Sequence, residues 1–339
     1  MAIATSYNVT STKGARENLE NVLKTVEPTE TPLYSTLSQS AAPKATLNEW
    51  LVDSLASPEI GGVIDGVDLT ISDAQNLIDT RARLGNRVQT LRDIFSVSRQ
   101  AEMVDVAPGG SLMASSRAKS LLQLKRSIET AIGSGNDQSA GTSSAGALMC
   151  GLGIWSNPSA TGSTFDTSLK QGFRAVSGSR VSLASLTESA FRGLLQAVYT
   201  AAGSKGTYNL FAGPAVMNKI TDYTRSTTAN GNFSFDQDVS GKTLVRSVLT
   251  YVSDYSTINI IPDLFLGRVN GSASGTDTVE GTVNTDRAYL IHGDDTVSLK
   301  FLEGITIQDL PDNGAGKRAF SETMLSLRVS NPRALGSIV

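Results

Sequence analysis

One histidine and one cysteine bound the chemistry open to this chain. His292 sits in Tyr289-Leu290-Ile291-His292-Gly293-Asp294-Asp295, where an apolar strand runs into a turn. Any Ser-His-Asp relay or histidine-ligated metal would have to be built around that one strand-end imidazole, which reads as structural. Cys150 cannot form an intrachain disulfide, and a cysteine zinc site needs more than one sulfur. It reads as a small buried apolar residue. Asp294 and Asp295, with Glu303, have the residue types of a hydrolase's acid pair, but adjacent acids in a turn are ordinarily solvated surface. Asp277, Glu280 and Asp286 do not have the spacing of a calcium loop. The Gly/Ser/Ala-rich stretch 133–147 has no Gly-Lys-Thr or Gly-x-Gly-x-x-Gly between a strand and a helix, so it reads as a mobile loop and not a phosphate cradle. No catalytic residue, cofactor or metal is expected, and the chain is not expected to be an enzyme.

The residues with more pattern are charged. Between 44 and 79 the acids are Glu49, Asp53, Glu59, Asp65, Asp68, Asp73 and Asp79, against Lys44 alone. Between 80 and 100 the balance inverts to Arg81, Arg83, Arg87, Arg92 and Arg99 against Asp93. Two arms of opposite charge suit a hairpin that pairs with itself through cross-strand ions. They also suit a surface presented to adjacent subunits, and the two readings are compatible. The candidate intersubunit contacts are Trp50, Asp53, Asp65, Asp68, Arg81, Arg83, Arg87 and Arg92.

The elements that would position these groups make an α+β chain with mixed sheets. Its 339 residues can bury a sizeable core, while 18% charged residues and abundant Gly, Ser and Thr favour sheets and long loops. Leu19, Val22, Leu23 and Val26 predict a short amphipathic helix over 16–26, and Pro28 and Pro32 then force an extended path. A strand is expected over Thr46–Leu55 and another from about Arg81 to Ser98. Ala118, Leu121, Leu122, Leu124, Ile128, Ala131 and Ile132 recur at three- and four-residue intervals, with Arg117, Lys119, Lys125, Arg126 and Glu129 between them. This predicts a helix over 112–132, about 30 Å long, with Ser111 at its start and Gly133 at its end. Ser185-Leu186-Thr187-Glu188 has the spacing of a capping box for a helix that Gly203 stops. Strands are expected at Tyr208–Ala212, Leu244–Val252, Thr257–Ile261, Arg287–Ile291, Val297–Leu302, Ile305–Leu310 and Met324–Ser330, and a helix from Pro214 to about Tyr223.

The net charge of −3 gives no footprint for gripping nucleic acid, and no apolar stretch approaches a membrane span. The N-terminus has no basic region followed by an apolar core, so the chain is expected to stay in a cytoplasm.

In order along the chain stand Thr31-Pro32-Leu33-Tyr34, Glu49-Trp50-Leu51-Val52-Asp53, Asp65-Gly66-Val67-Asp68, Arg81-Ala82-Arg83-Leu84-Gly85-Asn86, Phe95-Ser96-Val97-Ser98, Lys119 to Glu129, Gly213-Pro214-Ala215, Val252-Ser253-Asp254-Tyr255, Ile260-Ile261-Pro262 and Leu327-Arg328-Val329-Ser330-Asn331-Pro332-Arg333-Ala334. In that order and spacing the sequence resembles the major head proteins of tailed bacteriophages with the Hong Kong 97 capsid fold. The resemblance implies an N-terminal arm (1–43), an extended loop (44–100), a peripheral domain on a spine helix (101–150 with 300–339) and an axial domain (151–299). It further implies hexamers and pentamers in an icosahedral shell that encloses double-stranded DNA without reading its sequence. A portal, separate scaffolding or decoration proteins are implied partners, and no membrane is involved. The expected location is the virion, assembled in the host cytoplasm.

Two departures from the family carry expectations. The arm begins at once, without the roughly hundred-residue scaffolding segment of many members, so scaffolding should be separate, already cleaved or unnecessary. No lysine lies between Lys44 and Lys119, so no isopeptide weld from the loop is expected, although Asn331 could accept one. The alternative within the same fold is an encapsulin-like nanocompartment shell.

Overall fold

A computed structural model describes residues 28–55, 58, 60–62, 64–68, 80–104, 110–203, 206–222, 250–266, 286–293, 296–311 and 316–339. The chain opens with helix α1 (Pro32–Thr36), strands β1 (Ser38–Ser40), β2 (Leu47–Val52), β3 (Ala82–Arg87) and β4 (Gln89–Ser98), and helices α2 (Arg99–Met103) and α3 (Leu112–Ile132). Short helices α4 (Leu152–Trp155) and α5 (Ser168–Gln171) follow, then β5 (Arg180–Val181), α6 (Glu188–Ala202), β6 (Gly206–Ala212), α7 (Pro214–Asp222), β7 (Thr250–Val252) and β8 (Ser256–Pro262). The last stretch is all strand: β9 (Ala288–His292), β10 (Val297–Leu310), β11 (Gly316–Val329) and β12 (Gly336–Ile338).

These strands form a four-stranded sheet in the order β1-β10-β11-β4, a six-stranded sheet β5-β12-β9-β6-β8-β7, and a separate ribbon β2-β3. Helix α3 lies on the first sheet. The Ser111 hydroxyl accepts the Ala114 N–H at 3.2 Å and caps its start. Met113, Leu124, Ile128 and Ile132 face inward at helical spacing, and the Ser120 and Ser321 hydroxyls meet at 2.6 Å. Leu299, Leu325, Leu327 and Val329 complete that core. Helix α3 ends at Gly133, where a Cβ would come within 2.8 Å of the Leu266 Cα, so the backbones touch there as only glycine allows. The six-stranded sheet has a core of its own. Phe191, Leu194, Leu195 and Val198 of α6 and Val216 and Ile220 of α7 cover Tyr208, Leu210, Ile258, Ile260 and Leu290.

Several expectations are corrected. The strand expected from about Arg81 to Ser98 is two strands with different partners. Ala82, Leu84, Asn86 and Val88 point inward, and then the alternation slips, so that Gln89 and Leu91 are the buried ones. A one-residue slip turns every later side chain to the other face. Accordingly β3 pairs with β2 while β4 pairs antiparallel with β11 from Ser98↔Gly316 to Gln89↔Leu325. The predicted pair of strands at 297–302 and 305–310 is the single β10, bent by register shifts between Phe301 and Thr306. Helix α6 is capped by Thr187, whose hydroxyl accepts the Ala190 N–H at 3.2 Å. The cap is therefore two residues later than the Ser185 reading, and Ser185 bonds back to Ser182 O instead. Gly203 does stop that helix, at φ 65°. The strand β12 had no counterpart in the sequence reading. The helix predicted over 16–26 and most of the strand predicted over 244–252 lie outside the described residues.

Glu129 is the largest surprise. Among the lysines and arginines of α3 it reads as a solvated position, yet it is fully buried. The C-terminal part of α3 is covered on a second side, by α1 and by the turn after β8.

Candidate functional site: the extended loop and its root

The ribbon β2-β3 sorts its residues by alternation. Asn48 and Asn86, Trp50 and Leu84, and Val52 and Ala82 are cross-strand partners on the inward face. Glu49, Leu51, Arg81, Arg83 and Asp53 are exposed on the other. There Arg81 bonds Asp53 at 3.0 Å and Arg83 lies 3.7 Å from Glu49. The opposed charges of the two arms therefore meet within one chain. The Thr80 hydroxyl, 2.8 Å from Asp53, and the Arg81 guanidinium hold the Asp53 carboxyl below the usual carboxylate range.

The root is clamped to the core by a polar knot. The Asn86 side-chain amide donates to Cys150 O at 3.0 Å and to Leu327 O at 2.8 Å, and its oxygen accepts the Cys150 N–H at 2.7 Å. Cys150, read as buried, is fully so and burial pushes its thiol pKa up. Trp50 leans on Trp155 with ring centroids 5.7 Å apart, and Trp155 meets Phe165 edge-on at 5.4 Å. Arg87 is half-buried at the rim of an open groove of about 790 Å³ that Asp137, Asp166 and Lys170 also line.

Beyond the root the loop changes character. Leu51, Leu55, Ile60, Ile64 and Val67 are exposed, Leu55 by 97% and Ile60 by 102%. Asp65 and Asp68 stand beside them at a turn where Gly66 has φ 79°. Apolar side chains scattered singly on a surface are ordinary, whereas a run of them on one excursion is not.

Of the eight residues singled out from the sequence, Asp53, Arg81 and Arg83 come together on the ribbon's outer face. Trp50 packs inward, Arg87 sits at the groove, and Asp65 and Asp68 are at the far turn. Arg92 is on β4, outside the ribbon, 2.5 Å from Glu322 and 4.9 Å from the centre of the Phe320 ring. Asn86, Trp155 and Glu129 went unnoticed as structural keys, because the partners that decide their roles, Cys150 and Leu327, Trp50, and Leu33 and Tyr34, lie 64 or more residues away. His292 packs on Tyr208 with ring centroids 4.8 Å apart. Asp277, Glu280, Asp294 and Asp295 lie outside the described residues, and the Glu303 carboxylate accepts a hydroxyl from Thr306 at 3.2 Å. Among the described residues no helix is long and apolar enough to cross a membrane.

A model of the SU10 major capsid protein family matches residues 4–339. The chain belongs to that family. It is a major capsid protein of a tailed phage, and its mixed-sheet architecture is the Hong Kong 97-like capsid fold. Solved structures share that fold at low sequence identity. The capsid of cyanophage A-1(L) is 15% identical with a TM-score of 0.66, over 98% of each chain. The capsid of a native GTA particle is 10% identical with a TM-score of 0.60, over 99% of each chain. The SrpI encapsulin of Synechococcus elongatus PCC 7942 is 12% identical with a TM-score of 0.50, over 98% of this chain and 94% of that one. No curated protein sequence matches. As a member of a capsid family the chain works as a homo-oligomer in a virion shell.

Proposed function

We propose that this capsid protein tiles an icosahedral head of hexamers and pentamers around double-stranded DNA, and that its extended loop is the main device joining neighbours. The observation that carries this reading is the exposed apolar run Leu51, Leu55, Ile60, Ile64 and Val67 on a loop whose root is held by Asn86 and Trp50. Leaving such a run in water is unfavourable by roughly 25 cal/mol per Å² of apolar area, so a surface of an adjacent subunit is its natural cover. A heterologous contact repeated around a ring closes five- and six-membered assemblies. Many weak contacts per subunit then suffice. The charged outer face, with Asp53, Arg81 and Arg83, and Arg87 at the neighbouring groove set register and partner choice more than affinity.

In this reading the chain catalyses nothing and carries no cofactor. The arm is 1–43, the loop 44–100, the peripheral domain 101–150 with 300–339, and the axial domain 151–299. DNA is enclosed without sequence reading, in keeping with a net charge of −3. A portal and separate scaffolding or decoration proteins are its partners, and the shell is built in the host cytoplasm without a covalent weld.

The test is the combined substitution of Arg81, Arg83 and Arg87 by Glu. All three are solvent-facing or half-buried, so the expected result is a chain with unchanged circular dichroism that forms no closed particles by negative-stain microscopy. Normal particles from the triple variant would overturn the assigned role of this face. The likeness to an encapsulin, at 12% identity, is one of fold. Particles isolated from their source should hold genomic-length DNA and carry a tail.

A further inference from the structure

Two carboxyl groups with no role in the loop are buried against each other where three parts of the chain meet. Glu129, on the last turns of α3, is fully buried, and Asp263, just after β8, is 1% exposed. The segments that carry them touch on both sides of the pair: the Arg126 guanidinium, three residues before Glu129, lies over the Phe265 ring, and a Cβ at Gly133, four residues after it, would come within 2.8 Å of the Leu266 Cα. Glu129 also reaches 96 residues back along the chain. Its Oε1 accepts the Leu33 N–H at 2.6 Å and its Oε2 accepts the Tyr34 N–H at 2.7 Å. These are donors of the first turn of α1, whose own N-cap residue, Thr31, makes no side-chain cap bond. Asp263 organises the other side. Its N–H donates to Ala212 O at 3.0 Å, and its Oδ1 accepts the Phe265 N–H at 2.9 Å. Its Oδ2 is buried and meets no hydrogen-bond donor among the described residues.

We propose that Glu129 and Asp263 share one proton and form a pH-operated latch, which holds α1 and the 263–266 turn on the spine helix while that proton is present and loosens them once it is lost. Two carboxyl groups buried against each other need a proton between them, since two carboxylates would repel at close range in a medium that screens poorly. Burial, and then the charge of Asp263, push Glu129 up to about 9, and burial raises Asp263 as well. The other charged or titratable groups on the packed elements, among the described residues, are Arg117, Lys119, Lys125 and Arg126 of α3, Tyr34 of α1, and Arg287 and Tyr289 at β9, and of the α3 cations Arg117 is paired with Asp309. The Arg126 guanidinium lies 4.8 Å from the centre of the Phe265 ring. The Tyr289 hydroxyl donates to Gly133 O at 2.8 Å and has Arg287 at 3.5 Å.

The sign follows from linkage. With the latch open Glu129 titrates near its ordinary 4.5, and closed near 9, so between those values the closed form holds a proton that the open form does not. Closure is complete below that window and weakens by up to about tenfold per pH unit as pH rises through it, levelling off above the folded value.

Hydrogen exchange of the Leu33 and Tyr34 amides, corrected for their intrinsic rates, reads the latch in the full chain and in assembled particles. Protection should fall steadily from about pH 5 to about pH 9 in the unsubstituted protein. In Asp263→Asn the side-chain N–H₂ can donate to an ionised Glu129, and protection should fall less steeply across the same range, since burial of Glu129 remains. An identical pH dependence in both proteins would overturn the proposal. Infrared spectroscopy of the unsubstituted protein decides the matter if that variant does not fold. A protonated-carboxyl band that survives at pH 7 and titrates away towards pH 9 supports the shared proton, and its absence at pH 7 overturns it.

Discussion

At the scale of single residues, the groups that matter most are polar and buried, and they act far along the chain from where they stand. Asn86 is fully buried and uses both ends of its amide on Cys150 and Leu327. Replacing it with alanine leaves those backbone groups buried without partners, and each orphaned group costs about 1–3 kcal/mol. Asn86→Ala should therefore destabilise the unassembled chain by about 2–4 kcal/mol in chemical denaturation, allowing for partial relaxation. Substituting Arg81, one of the exposed candidates, should leave the denaturation midpoint unchanged within scatter. The sequence displayed Arg81 and hid Asn86 for one physical reason. Charge segregation is visible locally, whereas the need for an amide at 86 arises from carbonyls and an N–H supplied by residues 150 and 327. Glu129 was misread in the same way. Its neighbours on α3 are cationic, but Leu33 and Tyr34 cover it and supply the donors.

At the scale of elements, local signals served well where one helix or strand decides its own limits. The apolar spacing and Ser111 fixed α3 over Leu112–Ile132, and β6, β8 and β9 of the six-stranded sheet fell close to their apolar runs. Local signals misled where two of them competed. Ser185 and Thr187 are both good caps, and the Glu three residues after Ser185 favoured the wrong one. The winning cap is the one whose helix turns Phe191, Leu194 and Val198 onto the sheet. Thr187→Ala should cost about 1 kcal/mol of stability, while Ser185→Ala should cost a few tenths at most, read as midpoint shifts in matched denaturation curves. Equal losses would mean that the capping assignment is wrong. The ribbon β2-β3 and the strand β4 show the other limit. Their division depends on a one-residue slip at Val88 and Gln89 that an apolar count smooths over.

At the scale of the whole molecule, the chain passes between its two larger sheets three times, from β4 to β5, from β9 to β10 and from β11 to β12. The last passage ends with Gly336–Ile338 wedged between β9 and β5. A three-residue strand carries no periodicity, so only the finished sheet reveals it. Its side chains are nevertheless deep: Leu335 and Ile338 are each 1% exposed, and Ile338 joins the core under α6. Burying two such side chains contributes about 3–6 kcal/mol, a large part of the roughly 5–15 kcal/mol that a folded domain commands. Removing residues 335–339 should leave the chain insoluble or, where soluble, without a cooperative thermal transition. The opposite is expected of the loop. Val52 and Ala82 are already paired, so a two-residue Asn-Gly turn replacing residues 54–80 can close the ribbon. That deletion discards Leu55, Ile60, Ile64 and Val67 of the exposed apolar run and little of either core. It should give a soluble chain with a near-normal melting temperature that builds no closed shells. If the loop deletion assembled normally, or the tail deletion melted normally, the division of labour between a folding core and an assembly loop would fail.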